Sequence, residues 1–204
     1  MAGTMPHAIF LETDMDGSGG FAAYAAELPG CAVFGATDEE AAGGMPRRVA
    51  TFTAWLRERG EEAPTFVGDN WYEVEREAAR SGPDGRQRAG FSLDELPPSD
   101  DEFARYLRWL ELAREELAAA LDAARPAPAA LDAIATQDAV FTRELGRPAP
   151  PTEGDPTDRL YAARDALTDA LTAAGPTASG VRRALRLAIA DDLRLADELR
   201  GATG

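Results

Sequence analysis

Four charged residues stand where helical periodicity expects an apolar core: Arg114, Asp138, Arg164 and Asp192. At about 100° per residue, Phe103, Leu107, Leu110, Leu117 and Leu121 form one stripe, and Arg114 falls in its middle. Leu131, Ile134, Phe141 and Leu145 form a second stripe around Asp138. Leu160, Leu167 and Leu171 form a third around Arg164, and Val181, Leu185, Ala188 and Leu199 a fourth around Asp192. Two guanidiniums and two carboxylates are neutral together, whereas one unpaired buried charge costs several kcal/mol. Arg114 and Arg164 are therefore expected to pair with Asp138 and Asp192. Such a layer either fixes helix register as an ion-pair network or forms the polar floor of a ligand pocket.

Other reactive residues are few. Cys31 is the one cysteine and His7 the one histidine, so a Cys–His pair would need them on neighbouring strands; a half-buried structural thiol is the plainer reading. The stretch "DMDGSG" imitates the start of a calcium loop, with oxygens at Asp14, Asp16 and Ser18 and then Gly19, but Ala25 occupies the position of the bidentate acid. No cofactor is expected. The acid runs Asp38–Glu40 and Asp100–Glu102 match the dipole at helix N-termini. Trp71 and Tyr72, with Trp55 and Trp109, suit either core packing or an interface between domains or the subunits of a homo-oligomer.

The elements that position these residues divide at a linker. "HAIFLET" and "GFAAYAA" flank turn-forming residues and read as a hairpin; "CAVF" makes a third strand after the Pro29–Gly30 turn. Thr37 and Glu40 form a capping box that opens a helix to about Gly60, broken near Met45 by Gly43, Gly44 and Pro46. "WYEVERE" and "RQRAGFSL" flank "SGPDG" as a further hairpin or two edge strands. After the linker "DELPPSDD", the Ser99–Glu102 capping box starts a helical region, with helices expected near 100–124, 129–146, 156–174 and 179–200. The fold expected is α+β: residues 1–96 form a small antiparallel sheet with a helix, and residues 97–204 an all-α four-helix bundle.

The net charge of −15 argues against nucleic acid and anionic membrane surfaces, which recruit basic patches; a basic protein partner, or none, fits better. No apolar run approaches the roughly 20 residues of a membrane span, and the N-terminus lacks a signal-peptide pattern, so a cytoplasmic protein without a membrane partner is expected.

"FLETDMDGSGGFAAYAAELPGCAVFGATDEEA", followed by "LRERGEEAP", resembles the HicB-like antitoxin domain over about the first 65 residues. The resemblance implies a small sheet packed on a helix, similar to a reduced RNase H-like fold, and a small basic ribonuclease toxin as partner. The DNA-binding segment usual in that family is replaced by the helical region.

"FSLDELPPSDDEFARYLRWLELAREELAAAL", "LDAIATQDAVFTREL" and "RRALRLAIADDLRLADELR" are similar to the DinB-like four-helix bundles. That family commonly holds a divalent metal with one histidine on the second helix and two, spaced four apart, on the last. The corresponding positions here are Ala133, Asp191 and Leu195, so no metal of that type is expected. The sequence thus suggests a non-enzymatic binding protein. A metal-independent DinB-like thiol transferase, or a small-molecule-binding protein, is the alternative.

Overall fold

The computed structural model describes residues 7–15, 17, 19–64, 71–82, 85–124 and 126–202. They form an α+β protein of two compact units, Met1–Leu93 and Asp94–Gly204.

In the first unit, β1 (His7–Thr13) pairs antiparallel with β2 (Phe21–Ala25), and β2 with β3 (Ala32–Gly35). The β2–β3 connection is a tight turn in which Cys31 N donates to Leu28 O at 2.9 Å and Gly30 adopts φ 88°, a conformation that favours glycine. Gly35 then makes the strand-to-helix corner. A Cβ there would lie 2.9 Å from Ala41 N and 3.1 Å from Thr37 O, so backbone fills the space a side chain needs. Thr37 caps α1 (Asp38–Gly43) by accepting from Glu40 N, while the Glu40 carboxylate accepts from Ala36 N. Gly44 and Pro46 end α1 and start α2 (Met45–Glu58).

The sheet is mixed, not antiparallel as expected. Strand β4 (Trp71–Ala78) lies parallel to β1, giving the order β3-β2-β1-β4. The α1–α2 crossover carries the chain back to the end where β1 begins, and a parallel neighbour requires a connection of that kind. A bulge interrupts the pairing: Ile9 and Phe10 face Glu73 and Glu75, leaving Val74 as the extra residue. "WYEVERE" does not pair with "RQRAGFSL" as a hairpin: it is β4, and the hairpin is made instead by β5 (Arg80–Gly82) and β6 (Gly85–Gln87), whose turn residues Pro83 and Asp84 lie outside the described residues. The rest of "RQRAGFSL" is not strand. Helices α1 and α2 cover one face of the sheet. The segment Arg88–Phe91 covers the other, where Phe91 stacks on Phe10 at 4.8 Å.

In the second unit, Ser99 and Glu102 complete a reciprocal capping box at the start of α3 (Asp100–Ala123). Pro128 opens α4 (Pro128–Glu144), Asp155 caps α5 (Pro156–Ala174), and α6 (Val181–Ala202) follows Gly180. Contacts between side chains set the helix directions. Asp132 meets Arg159 and Asp138 meets Arg164, so α4 and α5 run parallel. Glu102 meets Arg182 and Glu116 meets Arg200, so α3 and α6 run parallel as well. Glu144, at the end of α4, reaches Arg183 at the start of α6, which sets the two pairs antiparallel. Residues 145–155 return the chain along the length of α4. Leu117, Ala120, Leu131, Ile134, Leu160, Leu195, Ala196 and Leu199 form an apolar cluster to which all four helices contribute. No helix among the described residues is long and apolar enough to cross a membrane.

Candidate functional site

Arg114, Asp138, Arg164 and Asp192 lie one helical turn from that apolar cluster, each three or four residues from one of its leucines or isoleucines. Arg164, Asp138 and Asp192 are 3%, 2% and 1% exposed. Arg164 Nη2 donates to Asp192 Oδ1 across α5 and α6. Arg164 Nε lies 3.9 Å from Asp138 Oδ2 on α4, within ion-pair range but beyond a hydrogen bond. Arg114 takes a different partner from the expected carboxylate: its Nη1 donates to Thr168 Oγ1, and Thr168 itself donates to Arg164 O at 2.9 Å. The four residues thus belong to one layer, in which Arg164 makes both ion pairs. Helix phase identified the face each charge occupies, but could not tell which arginine stands level with the aspartates.

Burial dominates the electrostatics. It pushes the Asp138 carboxyl up to about 7, against the opposing field of Arg164. Asp192 is raised for the same reason, again opposed by Arg164, and burial lowers Arg114 against the fields of Asp138 and Asp192. Among the described residues, Arg114 Nε and Nη2, Arg164 Nε, Asp138 Oδ2 and Asp192 Oδ2 have no hydrogen-bond partner. The layer therefore holds its helices by charge while keeping hydrogen-bonding capacity of both signs.

The positions corresponding to the DinB-like ligands do not fit a metal. Ala133 is exposed, whereas Asp191 and Leu195 are buried, and neither alanine nor leucine carries a donor atom. No grouping of three or more His, Cys, Asp or Glu side chains among the described residues has the arrangement to hold a metal ion. His7 lies in the sheet unit, its ring 4.7 Å from that of Trp71. Cys31 is fully buried rather than half-buried, and burial pushes its thiol up to about 12, far from thiolate character at neutral pH. Of the calcium-like stretch, Asp16 and Ser18 lie outside the described residues, and Ala25 is buried within β2.

Two buried ionic clusters escaped the sequence reading. Glu12, 0% exposed, accepts from Tyr24 OH at 2.8 Å, Arg88 Nε at 3.0 Å and Ala89 N at 2.7 Å. Arg88 also donates to Tyr24 OH. This cluster pins the Arg88–Phe91 segment to the sheet. Alternation in "HAIFLET" could not reveal it, because strand β1 is covered on both faces. In the helical unit, Arg186 of α6 grips Asp94, and Arg182 Nε donates to Leu96 O at 3.1 Å. The stretch read as a linker is thereby tied to α6. Its composition gave no sign of this, since the two arginines lie about 90 residues downstream.

Comparison with family models, with curated proteins and with solved structures finds no match for this chain.

Proposed function

We propose that this chain is a non-enzymatic binding protein, in which a HicB-like sheet unit engages a small basic protein and a DinB-like bundle serves as its structural companion. The observation that carries the reading is the charge layer. Arg164, Asp138 and Asp192 are almost wholly buried and face one another, so charges that an active site would present to a substrate are spent on joining helices. The acidity of the chain supports a basic partner, and the HicB-like resemblance suggests that this partner is a ribonuclease toxin.

The small-molecule reading draws on a second observation. A cleft of about 100 Å³ lies between α4 and α5, lined in part by Ala135, Ala139 and Ala163, sequence neighbours of Asp138 and Arg164. The unfilled hydrogen-bonding atoms of the layer would suit a polar ligand reaching inward from it.

Native mass spectrometry of the full chain isolated from its own host separates the two readings. A stoichiometric small basic protein is the expected result. A bound small molecule without a protein partner would favour the alternative, and the bare chain alone would sink the interaction reading.

A further inference from the structure

The sheet has one long exposed edge. Strand β4 is eight residues long, lies at the end of the strand order, and among the described residues pairs only with β1, so its outer row of backbone N–H and C=O groups has no strand beside it. Tyr72 and Val74 are 45% and 44% exposed, two adjacent apolar anchors on this strand. Glu73, Glu75 and Glu77 interleave with them in sequence, and the bulge at Val74 puts Glu73 on one face of the strand and Glu75 and Glu77 on the other. Edges of this kind attract further strands unless something prevents it.

The charges decide which strand. A second copy of β4 laid antiparallel with Trp71 opposite Ala78 would set Glu73 against Arg76, whereas registers centred on Glu73, Glu75 or Glu77 set glutamate against glutamate. Like charges placed directly opposite destabilise a strand pair. With three glutamates to one arginine the strand is net acidic, and a strand of opposite charge suits it better than its own copy does. Glu73 already accepts from Arg76 at 2.8 Å, and Glu75 from Ser92 N at 2.9 Å. A carboxylate has about four lone-pair sites, so both keep capacity for an incoming cation.

We propose that the outer edge of β4 receives an extended basic segment of a partner protein, which adds a fifth strand to the sheet through main-chain hydrogen bonds and sets its cations against Glu75 and Glu77, which share one face. This rests on the reading of the chain as a binding protein and names the surface it would use.

The test uses the full chain and two fluorescent peptides, one alternating arginine and valine, the other with central valines replaced by proline so that main-chain pairing is lost. Anisotropy at physiological salt is expected to show at least tenfold weaker binding of the proline peptide to the wild type. Val74→Pro is expected to weaken the arginine–valine peptide by a similar factor at an unchanged thermal midpoint. Glu77→Arg provides the same comparison should the proline variant fold poorly. Equal binding of the two peptides, full binding by the variants, or no binding at all would overturn the proposal. A basic partner recovered from the host that binds Val74→Pro as well as the wild type would overturn the edge assignment and leave the interaction reading standing.

Discussion

Arg186 of α6 holds the carboxylate of Asp94 with both arms of its fork, Nε to Oδ1 at 3.2 Å and Nη2 to Oδ2 at 2.6 Å. Both side chains are at most 5% exposed. A bidentate pair in this setting is strong as a pair and costly to halve, because the survivor is left charged and dry. Asp94→Ala is therefore expected to lower stability by about 3–5 kcal/mol. Urea unfolding followed by helical circular dichroism measures it, and a loss below about 1 kcal/mol would place the pair with exposed salt bridges.

The two arginines of the charge layer should differ. Arg164 is 3% exposed and serves Asp138 and Asp192 together, so Arg164→Ala is expected to cost about 3–5 kcal/mol. Arg114 is only partly buried and bonds to the neutral Thr168, so Arg114→Ala should cost about 1–3 kcal/mol. Equal losses from the two substitutions, by the same unfolding measurement, would show that Arg114 carries as much of the ionic load as Arg164.

Asp138 sets a dependence on pH. Its carboxyl is pushed from 3.8 to about 7 by burial, so between those values the folded state holds a proton that the unfolded state has released. The stability this confers is fully present below about 3.8 and is lost as pH rises through about 7. Relative to Asp138→Asn, the wild type should therefore lose stability between about pH 4 and pH 7. Asp192 shifts in the same direction and remains in both proteins, where its own charge acts on Asp138. Urea midpoints for both proteins across that range check it; a constant difference would mean that Asp138 ionises as a free carboxyl does.

Two glycines of the first unit give opposite expectations. A Cβ on Gly35 meets the backbone of Ala41 and Thr37, so Gly35→Ala should cost about 1–3 kcal/mol. Gly43 ends α1 with open space where a Cβ would stand, nothing lying within 4 Å, so Gly43→Ala should stabilise by about 0.4–1 kcal/mol. Thermal midpoints of the two variants should move in opposite directions, and a shared sign would contradict the close approach at the Gly35 corner.

What could be read in the sequence was local. Ser99 with Glu102, Asp155 with Pro156, and Gly175 with Pro176 mark helix ends by chemistry confined to a few residues, and α3 begins, and α5 begins and ends, where those signals stand. The four charges of the layer were legible because each interrupts an apolar stripe. Pairing at a distance was not. The parallel placement of β4, the bulge at Val74 and the parallel course of α4 and α5 depend on how crossovers return the chain. Glu12 with Arg88, and Asp94 with Arg186, join residues far apart in sequence whose neighbours give no hint of a partner.

Helix α6 is buried almost continuously from Val181 to Leu193, and its parallel companion α3 begins about 80 residues earlier. During synthesis α3 emerges from the ribosome long before the surface that shelters it. Chains grow at about 5–20 residues per second, so Leu117 waits several seconds at least for Leu195 and Leu199, the α6 leucines of its apolar cluster. Contacts of such long sequence separation also form late in refolding. A nascent chain halted before Val181 would present this apolar stripe to chaperones and proteases, making completion of the last helix the step that commits the helical unit to its fold.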